Sequence, residues 1–275
     1  MKAGFYGTAL AAAFMVIGAL SPLRAQSPAL PWSCTIMADA QSGDEILRQG
    51  VCDQPVTPMS SFKLPLAVMG FDSGILTGPH DPVWPINEAF NPSQRERAFP
   101  RVDPEMWERE SLLWFSQELT TRMGMARFAG YVQGFGYGNG DLSGRQGDGL
   151  TRSWLSSSLR ISPEGQVGFL HRFLTGDLPV TPAAIALTRQ IIPQFDGSDG
   201  WQVQGKTGSG WLRDGSDRID RSKPVGWFVG WAEKDGRQVV FAEMLVAAER
   251  LDRPGGFVAR DRMLARIGDL MAGRE

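Results

Sequence analysis

The chain has 275 residues, of which 42% are hydrophobic and 21% are charged, and its formal net charge is -2. This length and composition suit a core for one or two closely packed domains. A nearly balanced charge lacks the basic face that nucleic-acid binding requires, so we expect no nucleic-acid partner. Nine tryptophans and fifteen phenylalanines argue against a disordered polypeptide.

The first 25 residues have the pattern of a secretory signal peptide. Lys2 supplies a positive charge, the segment from Phe5 to Leu20 is apolar, and Ala25 is a small residue suited to cleavage. The apolar segment is short for a membrane-spanning helix, although an uncleaved anchor is the alternative. We therefore expect export to the periplasm and a mature catalytic domain over 26–275 without a membrane anchor.

Cys34 and Cys52 are the two cysteines of the chain, and they flank a predicted β-hairpin. Strand-like segments at 34–38 and 46–51 are joined by a turn around Gly43. A hairpin centred on Gly43 would place Cys34 opposite Cys52, because each lies nine positions from it. We expect a disulfide in an oxidising compartment. Two free thiols packed in the interior are the alternative.

Helical patterns dominate the middle of the chain. A helix is predicted to start near Ser60, and an irregular connection follows at about 77–103. Apolar residues then recur at helical spacing over 110–123, which predicts a second helix. The glycine-rich segment 131–148 is predicted to be a loop.

The last third of the chain changes from helical to strand periodicity. Ser162 and Thr181, each followed by a proline, predict the starts of two more helices before this change. Alternating apolar residues and a turn at 234–236 then indicate strands. The predicted segments are strands at 201–207, 225–231 and 238–246 and a closing helix at 258–271.

Strand patterns thus lie at both ends of the chain and helical patterns between them. We predict an α/β (α+β) fold with a central, mostly antiparallel sheet built from N- and C-terminal strands. Helices flank this sheet, and an all-helical lobe is inserted at roughly 66–175. A cleft between the sheet and the lobe is the natural place for a ligand site.

Ser60 and Lys63 form the chain's Ser-x-x-Lys sequence. Residues three apart share a face of a helix, so the serine hydroxyl and the lysine amine can exchange a proton. Lysine can lose its proton when apolar neighbours desolvate it, whereas arginine stays charged. Pro65, about one turn into the predicted helix, breaks the local rules in the way that functional sites often do. The alternative is a serine cap followed by a solvated lysine.

A second motif contains Lys206, Thr207, Gly208 and Ser209. The segment Gln-Gly-Lys-Thr-Gly-Ser-Gly joins a predicted strand to a glycine-rich turn. Lys206 can place a cation beside an anionic substrate, and Gly208 permits a ligand to approach the backbone. An ordinary lysine at a strand end is the alternative. The two motifs together are much more specific than either alone.

With these motifs the sequence resembles the class D (oxacillinase-like) serine β-lactamases. The landmarks occur in family order over roughly the whole mature chain. In this order they are Ser60 to Lys63, Ser111-Leu112-Leu113, Tyr137-Gly138-Asn139, Trp154-Leu155, Ser158 to Pro163, Lys206-Thr207-Gly208 and Trp227 to Trp231. Leu113 departs from the family, which has valine at this position, and so leaves the substrate range open.

The resemblance implies a catalytic role for each matching residue. Ser60 would attack the β-lactam carbonyl and form an acyl-enzyme. Lys63 would be the base, carrying a carbamate made from carbon dioxide, while no separately bound cofactor and no metal is expected. The indole N–H of Trp154 would support that carbamate, although a plain core aromatic is its alternative. Ser111 would relay a proton to the leaving nitrogen.

The resemblance also implies how a small β-lactam substrate would be held. Backbone N–H groups of Ser60 and Ser209 would form the oxyanion hole. An arginine would pair with the substrate carboxylate; Arg260 is our choice, and Arg250 and Arg253 are the alternatives. The mature protein would be a monomer or a homodimer.

Other functions fit the sequence less well. His80 and His171 lack the partner spacing of a Ser-His-Asp triad or a zinc site, and class A β-lactamases need motifs that are missing here. A penicillin-binding sensor or transpeptidase-like domain, which acylates without turnover, is the main alternative. A noncatalytic carbohydrate or peptide binder is a third possibility and predicts no covalent adduct.

Overall fold

The computed structural model describes Met1, Gly4, residues 31–214, Ser216 and residues 218–274. Apart from Met1 and Gly4, the predicted signal segment 1–25 lies outside these residues. No helix in the described part of the chain is long and apolar enough to cross a membrane.

An antiparallel sheet of six strands combines both ends of the described chain. Its order is β2-β1-β8-β7-β6-β5, so the first strand pairs with the last, and a small separate sheet pairs β3 with β4. In chain order the strands are β1 (Trp32–Asp39), β2 (Glu45–Gly50), β3 (Trp84–Pro85), β4 (Arg101–Val102), β5 (Gln194–Asp196), β6 (Gln202–Arg213), β7 (Ile219–Lys234) and β8 (Arg237–Val246). The predicted α/β class and the antiparallel sheet of terminal strands are confirmed.

Helices cover both faces of this sheet. In chain order they are α1 (Lys63–Asp72), α2 (Pro104–Glu110), α3 (Leu113–Met123), α4 (Met125–Gly134), α5 (Gly149–Arg152), α6 (Pro163–Thr175), α7 (Pro182–Ile191) and α8 (Gly255–Met271). The predicted alternation along β7 reflects this arrangement. Trp227 and Val229 face the larger core with the helices before β5, whereas Phe228 packs with Met263 and Ile267 of α8 on the opposite face.

The first hairpin forms, but its predicted register is wrong. Cys34 pairs with Gly50 rather than with Cys52. A Cβ atom on Gly50, whose φ is 85°, would lie 2.0 Å from the carbonyl oxygen of Ser33, so only glycine fits where β2 ends. Cys52 reaches Cys34 from beyond the strand, and the disulfide joins them with a Cα–Cα distance of 5.1 Å. The expected disulfide is therefore present, although the reasoning from register was incorrect.

The predicted helix at 110–123 is present as α3, but it begins three residues later, at Leu113, and the helix before it, α2, was not predicted. α2 ends at Glu110, and Ser111 has left-handed backbone angles of φ 55° and ψ 43°. The carboxylate of Glu96 accepts hydrogen bonds from the backbone N–H of Leu113 at 2.6 Å and of Trp114 at 3.3 Å. These donors are free at a helix start, so a distant side chain fixes where α3 begins.

The other predicted elements are present with adjusted ends. Ser162 and Thr181 cap α6 and α7 by accepting backbone N–H bonds from Gly165 and Ala184. The predicted loop at 131–148 is wrong over its first four residues, which belong to α4. Burial of apolar residues one turn apart on α4, including Val132, outweighs the glycine-rich composition there.

Candidate active site

Ser60 lies in a 3₁₀ turn, Met59–Phe62, that leads directly into α1. Because α1 begins at Lys63, Pro65 falls within its first turn, where backbone N–H groups have no acceptor in the helix. Pro65 therefore costs no hydrogen bond, and the expected anomaly is absent. Across this junction, Nζ of Lys63 donates to Oγ of Ser60 at 3.3 Å.

The side chain of Lys63 is completely buried, with 0% exposed. Its neighbours Phe62, Leu64 and Leu66 are also buried and remove water from the amine. Burial, and secondarily the charge of Lys206, lowers the pKa of Lys63 to about 7. A neutral amine is thus accessible at neutral pH and can accept the proton of Ser60.

Ser111 and Lys206 form the second hydroxyl–amine pair of the site. Nζ of Lys206 donates to Oγ of Ser111 at 2.9 Å. The break between α2 and α3 holds Ser111, and β6 carries Lys206, which is only 2% exposed. Burial lowers the pKa of Lys206 to about 8. The pair can therefore pass a proton toward a group bound beside it.

Gly208 brings β6 against the turn that carries Ser60. A Cβ atom at this position would lie 2.7 Å from the carbonyl oxygen of Pro58 and 3.0 Å from the backbone nitrogen of Ser61. The absence of a side chain at Gly208 thus permits a close approach of the chain's own backbone, and the expected approach of a ligand stays a prediction. Farther along β6, Oγ of Ser209 accepts a hydrogen bond from the backbone N–H of Gly256 at 2.9 Å.

Trp154 is a buried indole that stacks on Phe62 with 5.5 Å between ring centroids. Its side chain is 0% exposed, and its Nε1 has no hydrogen-bond partner among the described residues. Buried donors are nearly always paired, so an unpaired indole beside the Ser60 turn is exceptional. It suits an additional acceptor at Lys63, as a carbamate would provide.

A buried hydrogen-bond network that the sequence reasoning missed supports the Ser60 turn. The hydroxyl of Tyr137 donates to Oε1 of Gln166 at 3.2 Å, and Nε2 of Gln166 donates to Oγ of Ser61 at 3.2 Å. Ser61 in turn donates to the carbonyl oxygen of Pro58 at 2.6 Å. Tyr137 belongs to the Tyr-Gly-Asn motif, whereas the sequence around Gln166 carries no signal beyond a polar residue on an apolar helix face.

Gly138 and Asn139 of the same motif connect two chain segments. The side chain of Asn139 donates to the carbonyl of Ser158 at 2.9 Å and accepts from the backbone N–H of Arg160 at 3.0 Å. Gly138, with φ of 58°, leaves room for the carbonyl of Arg160. These contacts hold the loop that follows Trp154 in place, which indicates a structural role for Gly138 and Asn139 rather than a part in the reaction.

Glu108 is a second residue that the sequence reasoning missed. It is 0% exposed, and neither of its carboxylate oxygens has a hydrogen-bond partner in the described part of the chain. Burial raises its pKa to about 7, although the charges of Lys206 and Lys63 act in the opposite direction. Its place one turn before Ser111 was the only available signal.

The three candidate arginines lie in two different cavities. Arg260 lines the cavity that contains Lys206 and Thr207, and its Nε donates to Asp261 at 2.9 Å. Arg250 and Arg253 instead line a cavity with Ser209 and Gly210. The structure therefore places Arg260 on the side of Lys206 and the alternatives beside the end of β6.

Neither histidine lies at this site. His80 is exposed and contacts Asp103, with 2.9 Å between Nδ1 and Oδ2. His171 contacts the carbonyl oxygen of Ala40 at 3.1 Å. Within the described residues, no group of three or more His, Cys, Asp or Glu side chains could hold a metal ion.

Comparison with known proteins agrees with this fold. Residues 33–267 match the family model of the penicillin binding protein transpeptidase domain. The chain is 51% identical over 243 residues to β-lactamase OXA-9 of Klebsiella pneumoniae, and this match covers 88% of this chain and 89% of the relative. It is 33% identical over 217 residues to β-lactamase OXA-1 of Escherichia coli, covering 77% and 75%.

A solved structure gives the same result. The crystal structure of the OXA-427 class D β-lactamase superposes with a TM-score of 0.81 at 36% identity, covering 88% of this chain and 100% of that chain. The fold and the Ser60–Lys63 pair define a penicillin-recognising serine enzyme. Within that class, the chain belongs to the class D serine β-lactamase family.

Proposed function

We propose that this protein hydrolyses β-lactam antibiotics through an acyl-enzyme on Ser60. The observation that carries the proposal is the buried amine of Lys63, 3.3 Å from the Ser60 hydroxyl, with its pKa lowered to about 7 by burial. An amine that is partly neutral near pH 7 can remove the serine proton, which a solvated lysine cannot do.

Acylation uses the two hydroxyl–amine pairs in sequence. Lys63 accepts the proton of Ser60 while Oγ forms a bond to the lactam carbonyl carbon. The lactam C–N bond then breaks, and the nitrogen receives a proton through Ser111, which Lys206 contacts at 2.9 Å. Backbone N–H groups of Ser60 and Ser209 stabilise the oxyanion. Water then hydrolyses the ester and regenerates Ser60.

We also propose that Lys63 reacts with carbon dioxide to form a carbamate in the active protein. A neutral amine is the form that reacts with carbon dioxide, and the burial of Lys63 favours that form. The unpaired Nε1 of Trp154 is a ready donor for the resulting anion. In the carboxylated protein a carbamate oxygen takes the place of the free amine as the base, and it accepts the proton of Ser60 in acylation and that of water in deacylation.

Arg260 is the proposed partner of the substrate carboxylate. Its place in the cavity with Lys206 and Thr207 supports this assignment. Arg250 and Arg253, in the cavity beside Ser209, are the alternatives. Comparing the KM of the Arg260→Ala and Arg250→Ala variants decides between the two cavities, because loss of a carboxylate partner weakens binding of the substrate.

The segment 1–25 supports a further proposal, namely export to the periplasm with cleavage after Ala25. N-terminal sequencing of the protein recovered from a periplasmic extract tests it. A first residue other than Gln26 would contradict the cleavage site, and retention in the cytoplasm would contradict export.

Steady-state hydrolysis of a chromogenic cephalosporin tests the main proposal. The protein should turn over many equivalents of substrate, and mass spectrometry after acid quenching should find an adduct on Ser60 that Ser60→Ala removes. Ser73→Ala serves as the matched control for the adduct, since Ser73 lies at the C-terminal end of α1 and its hydroxyl donates to the carbonyl oxygen of Gly70. A single burst without turnover would support the penicillin-binding sensor instead, and an adduct elsewhere would refute Ser60.

A further inference from the structure

Glu108 is a buried acid that the proposed reaction does not use. Its side chain is 0% exposed, and both carboxylate oxygens lack a hydrogen-bond partner among the described residues. An ionised carboxylate buried without donors is strongly unfavourable. Glu108 must therefore either hold a proton or be balanced by nearby cations.

The nearby cations are the ammonium groups of Lys63 and Lys206. Glu108 lies one helical turn before Ser111, whose Oγ contacts Lys206 at 2.9 Å. It also lines the cavity that contains Lys206 and Thr207, and its charge interacts with both lysines. We call these three buried groups, Lys63, Lys206 and Glu108, the two-lysine compartment.

Other charged groups around this compartment already have partners. Arg95 pairs with Glu110 at 3.0 Å, and Arg260 pairs with Asp261 at 2.9 Å. Glu96 accepts backbone hydrogen bonds at the start of α3, and these hold its pKa below the usual value although burial acts in the opposite direction. The groups around the compartment are Arg95, Glu96, Glu105, Arg109 and Arg260.

We propose that Glu108 is a positioning residue that takes up one proton when Lys63 is carboxylated. This inference rests on the proposed carboxylation. The nitrogen of Lys63 forms a bond to the carbon of carbon dioxide, while the π bond of one C=O breaks and its electron pair becomes the negative charge of the carbamate. The proton lost by the amine is taken up by Glu108. The compartment then holds one carbamate, one Lys206 ammonium and one neutral acid, rather than two anions.

This proton uptake has a definite consequence for pH dependence. Burial brings the pKa values of both Lys63 and Glu108 to about 7, so from about pH 8 upward the neutral amine and the ionised acid predominate, whereas Lys206, with a pKa of about 8, titrates with or without Glu108. Carboxylation with proton uptake by Glu108 releases one proton fewer than carboxylation without it. The half-saturating concentration of carbon dioxide therefore falls about tenfold less per pH unit when Glu108 takes up the proton.

The experiment measures carboxylation directly, without substrate. Carbamate carbon is quantified by NMR in solutions of ¹³C-bicarbonate from pH 8 to pH 9, and dissolved carbon dioxide is calculated at each pH. Over this range the half-saturating concentration should fall about tenfold more in Glu108→Gln than in the wild-type protein. Glu105→Gln is the matched control, because Glu105 lies on the same helix but is 40% exposed and screened by water.

The possible results are distinguishable. The same pH dependence in Glu108→Gln and wild type would overturn the role of Glu108 and leave carboxylation intact. A wild-type protein without a carbamate resonance would overturn both this inference and the proposed carboxylation. If Glu108→Gln does not fold, infrared difference spectroscopy of the wild-type protein decides: a protonated carboxylic acid band that appears as the carbamate forms supports proton uptake, and carbamate formation without that band refutes the role of Glu108.

Discussion

Burial gives single residues of this site a chemistry that they lack in water. A solvated lysine is protonated at neutral pH, but the pKa of Lys63 falls to about 7 because its amine is fully enclosed. Nε1 of the buried Trp154 indole has no hydrogen-bond partner within the described part of the chain. This donor therefore suits the carbamate that we propose on Lys63.

Trp154→Phe tests this complementarity. The variant keeps the stacking on Phe62 but removes the indole N–H, and a hydrogen bond to a charged group contributes about 1.5–3 kcal/mol. We expect the bicarbonate concentration that half-restores activity to rise at least about tenfold, because the carbamate loses this donor. The smaller ring also leaves a cavity in the core, so some loss of folding stability is expected from packing alone. Activity titrations with bicarbonate provide the measurement.

Trp114→Phe is the matched control for that variant. Trp114 is also buried, and its Nε1 has no partner among the residues that the structure describes, but it packs against Phe115 rather than Phe62. It should leave the bicarbonate requirement unchanged. An equal effect of both variants would show that a general loss of packing is responsible.

At the scale of elements, the active site depends on where helices stop. Ser111 meets Lys206 because α2 ends one residue before it and α3 begins two residues after it. The left-handed backbone at Ser111 is strained for any residue with a Cβ atom, by about 1–2 kcal/mol. The break between α2 and α3 thus places the Ser111 hydroxyl beside Lys206, and the strained backbone there lowers the stability of the fold.

The variants Ser111→Gly and Ser111→Ala should distinguish the backbone strain at this position from the contribution of the hydroxyl to activity. Both variants lose the hydroxyl, so we expect kcat/KM to fall by about 100-fold or more in each. Ser111→Gly should nevertheless be more stable than Ser111→Ala by about 1 kcal/mol, because glycine adopts positive φ freely. Urea unfolding measures the difference.

Ser116 provides the control for the Ser111 pair. It lies inside α3, where glycine is less stable than alanine by roughly 0.5–1 kcal/mol, so the order of the two variants should reverse. A Ser111→Gly protein that is less stable than Ser111→Ala would show that the left-handed conformation carries no strain.

For the whole molecule, the Cys34–Cys52 disulfide links β1 to the segment that leads to Ser60. Removing it in Cys34→Ala/Cys52→Ala should lower the free energy of unfolding by about 3 kcal/mol, as expected for a loop of this size. We expect kcat/KM at 25 °C to stay within twofold, because Val56 is independently held by two backbone hydrogen bonds to Ile161. Chemical denaturation and kinetics of the purified variant test both parts, with reduced wild type as the control.

Two results would contradict this expectation. A loss of stability below about 0.5 kcal/mol would mean that the link constrains the unfolded chain little. A large loss of activity in the folded variant would mean that the position of Ser60 depends on the bridge.

The fold and the central residues of the site could be predicted because they depend on local patterns. Ser60 and Lys63 are three residues apart, and the strand alternation of β7 is read directly from its apolar residues. The start of α3 could not be predicted in this way, because it depends on Glu96, which is remote in sequence. Glu108 was missed because burial of a polar residue depends on packing from other elements.

Lysine has an unusual distribution in this protein. Two of the lysines in the described residues are buried, whereas the side chains of Lys223 and Lys234 are 52% and 30% exposed. These two stand eleven residues apart toward opposite ends of β7, which corresponds to roughly 36 Å along an extended strand. Amine-reactive dyes or surfaces should therefore attach along one axis of the molecule and leave the interior amines unmodified.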